Sequence, residues 1–103
     1  MPAPTWHVTI PSNITVPGNW FAVIRVSVAG LARYPVRATL LANGIPQWST
    51  TCLTGAKPEF GPYVCEFAPL VPGQYTIAPE GFAVTTTLTV GRGGVATVIF
   101  EKY

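Results

Sequence analysis

Apolar side chains stand at every second position through most of this chain, in short runs cut by proline and glycine. Trp6, Val8 and Ile10 alternate with Thr5, His7 and Thr9. Trp20, Ala22, Ile24, Val26 and Val28 share one face, with Arg25 and Ser27 on the other. The same period returns in Val36, Ala38 and Leu40, in Trp48, Thr50 and Cys52, and in Tyr63, Cys65 and Phe67. It returns again in Tyr75 and Ile77, in Phe82, Val84, Thr86, Leu88 and Val90, and in Ala96, Val98 and Phe100. A period of two places one face of a strand against a core and the other in water. The 11 prolines and 10 glycines exclude long helices.

The breaks between runs carry turn chemistry. Pro11-Ser12-Asn13 interrupts the first run, and Pro17-Gly18-Asn19, Pro72-Gly73 and Pro79-Glu80-Gly81 mark further turns. Asn43-Gly44 pairs two residues that tolerate positive φ, the signature of a two-residue hairpin. Gly91-Arg92-Gly93-Gly94 reads as another hairpin turn, and no helix follows it to make a phosphate loop. Short strands at this spacing predict an all-β fold, a seven- to eight-stranded antiparallel β-sandwich. With 103 residues the chain is expected to be a single domain, residues 1–4 standing as a linker stub that joins it to other domains.

Composition narrows the function. Hydrophobic residues make up 49% of the chain and charged residues 10%, a balance that favours an ordered core. Six Lys and Arg face four Glu, scattered too widely to follow a phosphate backbone, so no nucleic-acid partner is expected. No apolar stretch reaches the ~20 residues that a membrane-spanning helix needs, and Met1 is followed by Pro2-Ala3-Pro4 rather than by the basic and then apolar segments of a signal peptide. Cys52 and Cys65 flank a Gly/Pro-rich loop, and the pair reads either as one disulfide or as two buried thiols. A disulfide implies an oxidising, extracytoplasmic compartment, and closing such a loop stabilises a small domain by roughly 3 kcal/mol.

Residues 35–44, 63–77, 79–82 and 93–100 together resemble segments of prealbumin-like modules, among them carboxypeptidase regulatory-like domains and the Cna-B type repeats of bacterial surface proteins. The segment Tyr63-Val-Cys-Glu-Phe-Ala-Pro-Leu-Val-Pro-Gly-Gln-Tyr-Thr-Ile77 is similar to their Y-x-F-x-x-L-x-P-G-x-Y-T-I stretch, and Pro79-Glu-Gly-Phe82 to their P-x-G-Y/F turn. Pro35-Val-Arg-Ala-Thr-Leu-Leu-Ala-Asn-Gly44 and Gly93-Gly-Val-Ala-Thr-Val-Ile-Phe100 resemble an earlier strand and the final hairpin, so the likeness spans residues 20–103. It implies a seven-stranded sandwich that serves as a spacer, stalk or accessory domain without an active site. Some Cna-B type repeats close a Lys–Asn isopeptide bond between first and last strands. Here Arg25 stands near the lysine position and residues 95–103 hold no Asn or Asp, so no such bond is expected.

Catalysis requires positioned titratable groups, and few are present. His7 is the one histidine, it alternates with Trp6 and Val8, and it belongs to an outer face; with no Asp, a Ser-His-Asp triad is impossible. Glu59, Glu66, Glu80 and Glu101 fall in turns or on strand exteriors, where solvent keeps them ordinary. Cys52, Cys65 and His7 lack metal-ligand spacing, so neither metal nor cofactor is expected. Asn13-Ile14-Thr15 matches a glycosylation acceptor pattern.

Binding is the remaining class. Thr54-Gly-Ala-Lys-Pro-Glu-Phe-Gly-Pro62 is a loop that the cysteines would constrain, and Lys57, Glu59, Phe60 and Tyr63 are its candidate recognition residues. Phe60 either presents itself to a partner or folds over the end of the core. Trp20 and Trp48, on apolar faces, either pack at the core rim or stack sugar rings. The sequence thus predicts a non-enzymatic module of a larger exported or cell-surface protein, serving as a spacer or as a protein-interaction domain. A carbohydrate ligand held by the aromatics, and a loop offered to an enzyme cleft as an inhibitor, are the alternatives.

Overall fold

The computed structural model describes the backbone of residues 6–9, 14–15, 20–28, 30–81 and 84–102, and the side chains of 20–28, 30–81 and 84–101. Among the described residues the strands are β1 (Trp6–Thr9), β2 (Ile14–Thr15), β3 (Ala22–Val28), β4 (Pro35–Ala42), β5 (Ile45–Leu53), β6 (Val64–Leu70), β7 (Gly73–Pro79), β8 (Thr86–Val90) and β9 (Gly94–Lys102). They form two sheets. One has the order β1-β9-β3-β6, with β2 also paired to β9; the other has the order β5-β4-β7-β8. β1 and β2 lie against opposite ends of β9, at Trp6↔Lys102 and Ile14↔Val95, so they occupy one sheet position in two pieces.

The expected sandwich is what the chain forms, and the alternation is the reason. Ala22, Ile24, Val26 and Val28 of β3 are fully buried, as are Val36 and Ala38 of β4, Ile77 of β7 and Ala96, Val98 and Phe100 of β9. Leu88 and Val98 belong to one core, and Val84 packs against it. Burying these faces between two pleated layers contributes about 25 cal/mol per Å² of apolar surface, the main force holding the layers together. Asn43 and Gly44 adopt φ of 53° and 77°, closing the β4–β5 hairpin as their residue types predict.

Two expectations are corrected. Among the described residues the pairings are antiparallel except one: β3 and β9 run parallel, with Val26 opposite Val98. Residues so distant in sequence reach this register through both sheets, so no local turn signal announces it. Gly91-Arg92-Gly93-Gly94 is not a hairpin turn. It carries the chain from β8 in one sheet to β9 in the other, closed by Gly94 N–H donating to Gly91 O at 2.9 Å and anchored by Gly93 N–H donating to Phe21 O at 3.1 Å. A hairpin and a crossing need the same small residues, which is why the sequence did not separate them.

The side chains of Trp6 and His7 lie outside the described residues, as do Asn13, Phe82 and the segments 1–5 and 16–19, so the readings placed on them stop there.

Candidate functional site

The edge strands β5 and β6 belong to facing sheets and are joined by the Cys52–Cys65 disulfide, whose Cα atoms lie 5.9 Å apart. The disulfide reading of the two cysteines is therefore the one the fold takes. Cys52 reaches inward from β5 because it shares the face of Thr50 and Trp48. Cys65 does so from β6, where it sits beside the buried Phe67.

Residues 54–63 make the crossing above this staple. The Thr54 side chain is fully buried and satisfied: its hydroxyl donates to Leu31 O at 2.7 Å and accepts from Tyr34 N–H at 2.8 Å. Gly55 has φ +72°, and its N–H donates to Val64 O at 2.9 Å. A Cβ added there would meet Pro62 O at 2.4 Å, so only glycine fits. A short 3₁₀ turn, Pro58–Phe60, then brings Phe60 back toward the sandwich.

Between this crossing and the staple lies an open recess of about 240 Å³. The disulfide forms its floor, Leu53, Ala56, Lys57 and Phe60 its walls, and Glu66 stands at its rim. Phe60 is half-buried, so it wraps the end of the core and still presents a face to the recess. Two cations attend its ring, Lys57 Nζ at 5.7 Å and the Arg25 guanidinium carbon at 5.8 Å from the centroid. Each such contact contributes about 0.5–1 kcal/mol at exposed sites. Arg25 Nε also donates to Glu66 Oε2 at 2.7 Å across the β3–β6 ladder. With half the arginine in water, that pair adds less than about 1 kcal/mol.

Of the predicted recognition residues, Lys57 and Phe60 line the recess. Glu59 and Tyr63 are exposed on the same crossing and do not line it. Tyr63 was expected to point inward with Cys65, but β6 begins at Val64, and Tyr63 sits in the preceding turn. The sequence did not single out Leu53, Ala56, Glu66 or Arg25 as site residues. The alternation puts Arg25 and Glu66 on outer faces, but only the β3–β6 register makes them neighbours.

The candidate stacking aromatics stand apart from one another. Trp20 leads into β3 of one sheet and is 63% exposed, with the Arg92 guanidinium 3.5 Å from its ring centroid. It lies beyond the first paired residue of β3, so the core face it was expected to share ends at Ala22. Trp48 lies on β5 of the other sheet, 40% exposed, edge-on to Tyr75 at 6.4 Å.

Two tyrosines have raised pKa values. Tyr75 is pushed up by burial; its hydroxyl donates to Val71 O at 2.5 Å. Tyr34 is pushed up by burial and by the nearby Glu80 carboxylate, and its hydroxyl donates to Glu80 O. Neither borders the recess. The recess itself offers apolar walls, one ammonium and an ion-paired carboxylate, a set suited to holding an apolar side chain. A scan of protein-family models, a search of curated proteins and a search of solved structures each return no match to this chain.

Proposed function

We propose that this chain is a non-catalytic β-sandwich module, of the prealbumin-like type, belonging to a larger exported or cell-surface protein. Its role is to engage a protein partner through the recess above the Cys52–Cys65 staple. One observation carries the reading: an open apolar recess is built on a covalently fixed floor, at an edge where, among the described residues, both flanking strands lack an outer neighbour. At about 240 Å³ it falls below the ~300–1,000 Å³ of cavities that enclose small molecules, so it suits one large side chain of a partner. A fixed floor keeps the ordering cost of binding low. The disulfide also supports an oxidising compartment. The carbohydrate reading has less support, because Trp20 and Trp48 belong to different sheets and Arg92 is stacked on Trp20.

The test is selection of peptides from a random library displayed on phage, with the chain immobilised. The expected winners carry a large apolar residue and lose binding when Ala56→Trp fills the recess. Peptides that bind the Ala56→Trp protein as well as the parent would overturn the assignment.

A further inference from the structure

We infer that the recess receives Trp48 of a second copy of this chain, and that two copies associate through their β5 edges about a twofold axis at Thr51. This rests on the reading of the recess as a protein-binding site and names its occupant.

The first ground is the hydrogen-bonding row that β5 leaves open. Thr54 N–H donates to Tyr34 O at 3.0 Å, and the register runs on through Val36↔Cys52 and Ala38↔Thr50. In an antiparallel ladder backbone groups alternate between the neighbour and the far side. Thr50, Cys52 and Thr54 therefore turn their N–H and C=O groups to β4. Ser49, Thr51 and Leu53 turn theirs outward, where β5 has no neighbouring strand among the described residues. The row is bounded on both sides. Toward its start, the ladder is broken by a bulge between Leu40 and Leu41, and beyond it the outward position falls on Pro46, which has no N–H. Toward its end, the chain turns away at Thr54. The centre of the open row is Thr51.

The second ground is charge. β5 reads Ile-Pro-Gln-Trp-Ser-Thr-Thr-Cys-Leu, without a charged side chain. Exposed edges are commonly guarded by lysine or proline along their length. Here the guard stops at Pro46, and two copies of the remaining edge meet without like-charge repulsion.

The third ground decides the occupant. An antiparallel pairing centred on Thr51 sets Ser49 opposite Leu53 of the other copy, and Trp48 opposite position 54. Directly opposed residues point to the same side of a sheet. Trp48 points to the core side with Cys52, and it is a large, exposed, uncharged knob. Cys52, Leu53 and Ala56, which flank position 54, are recess walls and floor. One edge thus carries both a knob and a hole, spaced so that a twofold axis fits each into the other. A self-complementary patch of this kind is what a twofold dimer requires, and a tryptophan seated in a pocket is a typical anchor.

The test is sedimentation equilibrium of the whole chain with three variants. The expected parent mass rises from the 11.0 kDa monomer toward twice that value, with a dissociation constant on the order of 10–100 μM, as for small interfaces. Thr51→Lys and Thr51→Glu each place like charges across the axis and are expected to weaken association at least ~10-fold. An equimolar mixture of the two is expected to restore it, which a misfolded variant cannot do. Trp48→Ala is expected to weaken it as well, with the circular dichroism spectrum unchanged. A parent that stays monomeric to about 1 mM overturns the inference; the recess reading then stands or falls on the Ala56→Trp peptide selection alone. A dimer indifferent to Thr51→Lys and Trp48→Ala uses another surface and also overturns it.

Discussion

Among the described strands the chain changes sheet four times, and two of these crossings, β5–β6 and β8–β9, are held by different means. The β5–β6 crossing, residues 54–63, is long and loops away from the core; a disulfide, a buried threonine and a 3₁₀ turn hold it. The β8–β9 crossing, residues 91–93, is short, and backbone hydrogen bonds and close packing hold it. A long crossing leaves room beneath it, and here that room is the recess. A short one leaves none and only orients the strands. The entropy of fixing a loop rises with its length, so the crossing that makes a site also needs the stronger restraint.

Removing that restraint is the largest perturbation. Replacing Cys52 and Cys65 by serine is expected to cost about 3 kcal/mol, as for a loop of this size. In a domain this small that is a fall in Tm of about 12–24 °C, measured by differential scanning calorimetry. A loss below about 1 kcal/mol would mean that the noncovalent contacts of the crossing hold it unaided. Thr54→Val comes next. It keeps the shape but strips the group that bonds both Leu31 O and Tyr34 N–H. About 2 kcal/mol is expected for leaving buried partners unpaired, read from urea unfolding.

Glycine positions sharpen the contrast between the crossings. Gly55→Ala combines a positive φ with a backbone collision at Pro62 O, and about 2 kcal/mol is expected. Gly94→Ala, at the end of the short crossing, meets Gly91 O at 2.9 Å and Val90 Cγ1 at 3.0 Å without a positive φ. About 1 kcal/mol is expected there, since the Gly91 carbonyl that must give way is farther off than Pro62 O is at Gly55, and no left-handed strain is added. If Gly94→Ala proved the costlier of the two, the short crossing would be the more rigid, and the comparison would have to be reversed.

The sequence made the layers legible and left their assembly hidden. Ile24, Val26, Ile77 and Val98 declare their burial by alternation alone, because a strand residue has just two directions to face. Asn43-Gly44 declares its hairpin because few residue pairs take those angles. Neither signal says which strands become neighbours. The parallel β3–β9 pair and the sheet change at Gly91–Gly94 depend on contacts between residues far apart in sequence. The recess was half legible for the same reason. Lys57 and Phe60 sit on a loop that the cysteines mark out. Glu66 reaches Arg25, 41 positions away, only through the β3–β6 register. Alternation also overran strand starts, counting Trp20 and Tyr63 inward just ahead of the first paired residues of β3 and β6.

The smallest expected effect separates the two ends of the sandwich by pH. Tyr34 and Tyr75 each donate a hydroxyl proton to a backbone carbonyl, Glu80 O and Val71 O. Both phenols have pKa values raised above 10, Tyr75 by burial and Tyr34 by burial and then Glu80. A raised phenol pKa means that the folded chain holds its proton more tightly than the unfolded chain. The resulting stability is complete below about pH 10 and is lost as pH rises through the folded value. For one proton the decline is at most about 1.4 kcal/mol per pH unit. Tyr75 is fully buried and Tyr34 is not, so Tyr75 should carry most of the alkaline loss. Tyr75→Phe is expected to cost about 1 kcal/mol at pH 7 for the lost hydrogen bond. It should also flatten the urea midpoint between pH 9 and 11 relative to the parent. Tyr34→Phe should leave that slope nearly intact. A parent whose stability is level across this range, or a slope that Tyr34→Phe removes and Tyr75→Phe does not, would place the titrating phenol at the stapled end instead.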